Sequence, residues 1–286
     1  MQITANGIAL EVEQHGPHDG PALILIRGLG TQLIHWPDAL VQGFAARGYR
    51  TVIFDNRDTG LSARWSDAGI SADADDILAA IKVGRLPPAA YTLSDMAGDV
   101  IGLMDALDIV RADVFGISMG GAIAQILAIE HAARLRTAVI VMSAGAMKNP
   151  ALLPQLLVRD MGRADFQRAW VQGHADWGSP GYPMPEADIA AEAGRAWDRG
   201  ADAAGVNRQA LAIAHAPDRR DALKRVQLPC LVFHGADDTL IPPDFGTEIA
   251  TLIPDAALRI IPGMGHVITP ALAPIIVDMT DRFLKS

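Results

Sequence analysis

Cysteine is nearly absent from this chain: Cys230 is the only one in 286 residues, so no intramolecular disulfide can form. It lies in the apolar run Leu228-Pro229-Cys230-Leu231-Val232-Phe233, where a thiol is expected to be a buried core residue, and a reducing compartment is expected. Positive charge is also scarce. Lys and Arg number 24 against 33 Asp and Glu, a net charge of −9. That balance excludes a basic stripe for nucleic acid and argues against docking on an anionic membrane. No window approaches the roughly 18 continuous apolar residues of a membrane-spanning helix. The segment Met1 to Gly7 has neither the basic nor the apolar region of a signal peptide, so a cytoplasmic location is expected. Walker and dinucleotide glycine motifs are missing, and the one pair of adjacent acids near a histidine lacks zinc-site spacing. No metal or organic cofactor is expected.

What is present is apolar. Hydrophobic residues make up 50% of the chain, enough for a sizeable core in one large domain or two small ones. Asn6-Gly7 marks a hairpin turn between two short strands, the second over Ile8 to Gln14. Ala22 to Ile26 is a short continuous apolar run, as in a strand buried on both faces, and Tyr49 to Phe54 reads as the next buried strand. Between them a helix is predicted from Trp36 or Pro37 to Arg47, closed by Gly48. Thr92 to Leu107 reads as an amphipathic helix, with capping-box spacing between Thr92 and Asp95. Strands then alternate with helices: Ala112 to Phe115, helix Met119 to Glu130, Thr137 to Met142, Cys230 to Phe233, Ala257 to Ile261, and a last helix over Pro270 to Leu284. This alternation predicts right-handed βαβ units and a mostly parallel central sheet flanked by helices, an α/β fold.

From about 145 to 220 the alternation stops and no strand-like run occurs. Trp170, Trp177 and Trp197 lie here, three of the five tryptophans in the chain. A helical cap inserted in the core is expected over 145–220, with the core formed by 1–144 and 221–286. Asp73, Asp75 and Asp76, in the long segment from 63 to 90, read as a solvated face of a stretch that can still cover a pocket.

Gly116-Ile117-Ser118-Met119-Gly120 falls between a predicted strand and a predicted helix. A G-x-S-x-G string means little alone; in that context it describes a sharp turn that exposes the serine hydroxyl as a nucleophile. Side chains at the flanking glycine positions would collide with the neighbouring strand and helix. The following helix points its N-terminus at the site, where it favours developing negative charge. A serine nucleophile needs a base. Among the eight histidines, only His266 sits in a glycine-rich loop, Gly263-Met264-Gly265-His266, between a late strand and the final helix. The orienting acid should follow a strand. The loop from Ser143 to Pro150 has no Asp or Glu, which leaves the pair Asp237 and Asp238. Two backbone N–H groups are needed to hold an oxyanion, and position assigns them to Met119 and Leu29.

These motifs resemble the α/β-hydrolase superfamily over nearly the whole chain. Asp55-Asn56-Arg57-Asp58-Thr59-Gly60-Leu61-Ser62 is similar to the superfamily's loop after the fourth strand, and its Arg57-Asp58-Thr59-Gly60 version to the aclacinomycin methylesterase-like group of bacterial esterases. The resemblance implies the order nucleophile, acid, histidine, and its G-x-x-D motif selects Asp238 over Asp237. It thus implies a catalytic triad of Ser118, Asp238 and His266 and an esterase acting on small to medium esters. The rivals are a carbon–carbon bond hydrolase or a cofactor-free perhydrolase on the same triad, and a non-catalytic small-molecule receptor. The superfamily usually has His-Gly at the oxyanion loop; here the chain reads Arg27-Gly28-Leu29-Gly30. Arg27 is expected either to brace that loop or to face the pocket and contact substrate. Trp170 and Trp177 are the other candidate substrate-binding residues. A small-molecule ester is the expected partner, with neither nucleic acid nor membrane, and the sequence leaves the oligomeric state open.

Overall fold

The computed structural model describes residues 1–66, 69, 71–146 and 152–286. Parts of the 63–90 segment and of the 145–220 insert therefore lie outside the described residues. Eight strands form one sheet: β1 (Gln2–Ala5), β2 (Ile8–His15), β3 (Ala22–Ile26), β4 (Arg50–Phe54), β5 (Ala112–Ile117), β6 (Leu135–Val141), β7 (Cys230–Gly235) and β8 (Ala257–Ile261). Their order is β1-β2-β4-β3-β5-β6-β7-β8. β1 pairs with β2, and β2 with β4, antiparallel; the remaining neighbours are parallel. The expected hairpin turn is present, with Asn6 and Gly7 both at positive φ.

The helices are α1 (Asp38–Ala45), α2 (Ala74–Lys82), α3 (Leu93–Ala106), α4 (Met119–Glu130), α5 (Leu153–Leu156), α6 (Arg163–Trp177), α7 (Glu186–Asp198), α8 (Ala203–Ala214), α9 (Arg220–Leu223), α10 (Asp244–Leu252) and α11 (Ala273–Leu284). The strands β3, β4, β5 and β7 are buried at every residue because helices cover both faces of the sheet. On one face α3 and α4 bring Met96, Val100, Leu103, Ile123 and Leu127 into the core. On the other, α1 and α11 bring Leu40, Phe44, Ile276 and Val277 against Phe115 and Phe233. Burying a side chain such as Phe115 stabilises the fold by about 1.5–3 kcal/mol relative to leaving it in water. Thr92 caps α3, and the predicted box with Asp95 is formed. Cys230 is buried.

Two local expectations shift. β6 begins at Leu135, two residues before Thr137, and α1 is confined to Asp38–Ala45. Within the 63–90 segment a helix, α2, forms where only a solvated face was read. Asp73 caps it by accepting from the N–H groups of Asp75 and Asp76, and all three acids are exposed. Its stability comes from Ile77, which packs with Leu153, Ala210 and Leu211 of the insert. Between β6 and β7 the described residues form helices and loops only. No helix among the described residues is long and apolar enough to cross a membrane.

Topology sets where chemistry can occur. β3 and β5 are neighbours, yet β4 lies outside β3 and β6 outside β5. The chain therefore leaves the carboxyl ends of β3 and β5 in opposite directions and opens a crevice between them, the switch point where α/β sheets bind ligands. Ile26 at the end of β3 is in register with Gly116, so the Arg27–Gly30 loop and Ser118 meet at that crevice.

Candidate active site

Ser118 stands between β5 and α4 with φ 54° and ψ −118°, a conformation strained for a residue with a side chain. Its own N–H donates to the Val141 carbonyl of β6 (2.9 Å), which anchors the turn. The flanking glycines are required sterically. A Cβ on Gly116 would stand 2.1 Å from the Gly120 carbonyl oxygen, and one on Gly120 would stand 2.1 Å from the Ile26 carbonyl oxygen. Met119 is the first residue of α4, so its N–H has no partner within the helix. Among the described residues, neither Met119 nor Leu29 has its N–H in a hydrogen bond outside regular elements, and both residues line the same cavity as Ser118.

His266 and Asp238 meet across 28 residues: His266 Nδ1 donates to Asp238 Oδ2 at 2.7 Å. The other carboxylate oxygen accepts from the Leu240 (3.0 Å) and Ile241 (2.8 Å) N–H groups. His234 Nε2 lies 3.5 Å from Oδ2 and donates to the Ile241 carbonyl at 2.7 Å. Burial acts to raise the Asp238 carboxyl, but the hydrogen bonds from His234 and His266 outweigh it and bring its pKa to about 2. Asp238 is therefore a carboxylate at any working pH, and the proton on His266 is held at Nδ1, which leaves the Nε2 lone pair free. Asp237 does something else. It is exposed, and its Oδ2 accepts from the Gly263 N–H (2.7 Å), so it shapes the His266 loop from outside. That loop must reach from β8, three strands away from β5, back towards Ser118. The insert holds it there: His266 N–H donates to the Trp177 carbonyl (2.7 Å), and Gly265 N–H to Ser179 Oγ (3.0 Å). Ser118 and His266 line one cavity; no hydrogen bond joins Ser118 Oγ to His266 among the described residues, a contact that commonly tightens only with substrate bound.

The cavity holds about 890 Å³. One wall is α6. Phe166, Trp170, His174 and Trp177 recur at helical spacing on one face, with neighbouring ring centroids 5.8–6.2 Å apart. Trp177 meets the His266 ring edge-on at 6.3 Å. No residue of α6 is fully buried, so this stripe faces the cavity and not a packed core. Trp170 and Trp177, singled out from the sequence, therefore do line the cavity, as does Trp197.

Arg27 is buried, and three contacts hold its guanidinium. Nε donates to Thr31 Oγ1 (3.1 Å), Nη1 to the His35 carbonyl (3.3 Å), and the group lies 4.6 Å over the Trp36 ring. Burial lowers its pKa to about 10, with Glu192 pulling the other way, so it remains charged at neutral pH. Among the polar residues that sequence reasoning passed over, His35, His174 and Glu192 also line the cavity. Burial, aided by the charge of Arg27, pushes the His35 pKa down to about 3. Burial likewise lowers His174 and raises Glu192. The i, i+4 spacing of Phe166, Trp170 and His174 was a usable signal for His174. Nothing local marks Glu192 or His35. Among the described residues no cluster of His, Cys, Asp and Glu is arranged to hold a metal.

The chain is 28% identical over 271 residues to a protein named putative carbamate hydrolase RutD from Variovorax paradoxus, covering 90% of this chain and 89% of that one. It is 28% identical over 262 residues to 3-oxoadipate enol-lactonase 2 from Acinetobacter baylyi, covering 91% and 87%. A match to rhodomycin D methylesterase DauP from a Streptomyces species is 34% identical over 146 residues, 51% of this chain and 42% of that one. The crystal structure of the enol-lactonase from Burkholderia xenovorans superposes with a TM-score of 0.79 at 25% identity, each chain covered completely. Residues 23–276 match the description of the Alpha/beta hydrolase family, and the chain belongs to that family.

Proposed function

We propose that the protein is a carboxylic ester hydrolase acting on small to medium esters through a covalent acyl-enzyme on Ser118. The observation that carries this reading is the His266–Asp238 bond, which fixes the imidazole tautomer beside a cavity that also holds a serine on a strained turn. His266 Nε2 takes the proton of Ser118 Oγ as the oxygen attacks the ester carbonyl. The N–H groups of Leu29 and Met119 donate to the oxyanion, each worth about 2.7–4 kcal/mol of transition-state stabilisation. Collapse breaks the ester C–O bond, and His266 returns its proton to the departing alcohol. Water then attacks the acyl-enzyme, with His266 as base again, and releases the acid. Asp238 stays ionised throughout and stabilises the imidazolium. The insert acts as a cap, with Trp170 and Trp177 as the apolar wall against which the substrate lies. Arg27 braces the loop through its contacts with Thr31, His35 and Trp36, and it also lines the cavity. The names of two relatives, a lactonase and a methylesterase, support ester chemistry.

The test is covalent labelling. Treatment with a fluorophosphonate followed by peptide mass spectrometry should place the adduct on Ser118, and Ser118→Ala should abolish turnover of p-nitrophenyl acetate. An adduct on another residue, or full activity in Ser118→Ala, overturns the proposal.

A further inference from the structure

The loop that carries Leu29 is fastened to the insert as well as to the core. The Leu29 N–H lies in the peptide plane shared with Gly28, and the plane shared with Gly30 limits through the Leu29 torsions how far the first can turn. The plane shared with Gly28 is held from the core side: Thr31 Oγ1 donates to the Gly28 carbonyl (2.9 Å) while accepting from Arg27. The plane shared with Gly30 is held from α8, where Gln209 Oε1 accepts the Gly30 N–H at 2.9 Å across 179 residues. Gln209 is wholly buried, and its amide nitrogen donates to the Arg57 carbonyl (2.7 Å) and to Thr59 Oγ1 (2.8 Å). Next to it, Arg208 makes a two-bond pair with the buried Asp58, which also accepts from Tyr91. Gly30 has φ 65°, and a Cβ there would stand 2.9 Å from Val206 Cγ2 of the same helix. A second tie runs through α7: Gln32 donates to the Ala196 carbonyl (2.8 Å) and accepts from Arg199 (2.7 Å).

We propose that Gln209 is a positioning residue for the oxyanion hole: by holding the Gly30 N–H it aims the Leu29 N–H at the cavity, so the seating of the insert sets transition-state binding. This rests on the ester-hydrolase reading above. A buried amide with its acceptor and both donors engaged has one orientation, and its partners lose theirs when it is removed. A donor that is mis-aimed weakens the transition state more than bound substrate, so the loss belongs in kcat and not in KM.

The experiment measures kcat and KM for a series of neutral esters in Gln209→Leu, Gln209→Asn and Asn207→Ala, with melting temperatures, alongside Ser118→Ala. Asn207 is the control. It sits on the same helix and ties Ala72 to Val158 (2.8–2.9 Å), without touching the oxyanion loop. Both Gln209 variants should lose about 10–100-fold in kcat for every ester, below the full loss of a donor, with KM within about threefold. Inhibition by a trifluoromethyl ketone, which forms a tetrahedral adduct, should weaken in parallel. Asn207→Ala should lose stability but keep kcat within about twofold. Should Gln209→Leu not fold, Gln209→Asn, which shortens the amide by one methylene, gives the same reading. Gln209 variants with kcat within twofold of the parent overturn the inference, as does an equal kcat loss in Asn207→Ala, which would show general loosening of the insert. Retained activity in Ser118→Ala instead brings down the ester-hydrolase reading itself.

Discussion

Asp238→Asn is the most informative single change, because the surroundings dictate which way the new amide must turn. Asp238 Oδ1 accepts from two backbone N–H groups, those of Leu240 and Ile241. These donors cannot rotate away, so asparagine must put its carbonyl oxygen there. Its NH₂ then occupies the place of Oδ2 and points a donor at His266 Nδ1, which at present donates to Oδ2 at 2.7 Å. Two donors cannot face each other, so His266 gives up the Nδ1 proton and holds it on Nε2 instead. Nε2 then presents N–H to Ser118 where a lone pair is needed. A tautomer error of this kind costs about 10⁴-fold in turnover. Tenfold corresponds to about 1.4 kcal/mol, so the barrier rises by about 5–6 kcal/mol. Asp237→Asn should behave quite differently. Asp237 is exposed and accepts from the Gly263 N–H, which an amide oxygen can still do. Its kcat should stay within about threefold, as for most surface substitutions. The assay is steady-state hydrolysis of p-nitrophenyl acetate, with circular dichroism and a melting curve to establish that each variant is folded. The reasoning is refuted if folded Asp238→Asn retains turnover within about tenfold of the parent, or if Asp237→Asn is the more damaged of the two.

Three further outcomes are expected. Arg27→Met, which keeps the stem but removes the bonds to Thr31 and the His35 carbonyl, should lower kcat about tenfold or more for neutral and charged esters alike; a KM effect confined to charged esters would return Arg27 to the substrate pocket. His35 titrates near 6.5 when unfolded and near 3 when buried, so the unfolded chain takes up the proton first as pH falls; its contribution to stability is complete above about pH 6.5 and is lost towards pH 3, by up to about 1.4 kcal/mol per pH unit. Urea unfolding at pH 7, 6 and 5 should therefore show a shallower acid decline in His35→Gln, and an unchanged slope would contradict the cause assigned. A cavity of about 890 Å³ walled by α6 should favour short acyl chains over long ones, without activation at an oil–water interface; preference for emulsified triolein would contradict it.

The local grammar of the fold was legible in the sequence. Short, mostly apolar runs bounded by turn residues become β3, β4, β5 and β7 because helices cover both faces of the sheet, which leaves even Arg50, Thr51, Asp113 and His234 buried within them. The box between Thr92 and Asp95 forms as read, since a cap depends on residues three apart. α2 was not legible. Ala74 to Lys82 is short, and Ile77 anchors it by packing on Leu153, Ala210 and Leu211, all distant in the sequence.

The same division runs through the site. Gly116-Ile117-Ser118-Met119-Gly120 determines its own turn, because the backbone conformation and the two close approaches involve neighbouring atoms or paired strands. Position in the chain, through the family resemblance, also picked out Asp238 and His266. Only the tertiary structure decided that their side chains meet, that Trp177 and Ser179 hold the His266 loop in place, and that Arg27 turns to Thr31 and Trp36. It alone brought Glu192, His35 and His174 to the cavity and set Gln209 on Gly30. The physical reason is range. Periodicity, caps and turns are governed by contacts a few residues apart, which a sequence displays directly. A buried amide or guanidinium chooses its partners from whatever the packed helices and sheet bring within hydrogen-bond reach, and for Gln209 and Gly30 that partner stands 179 residues away.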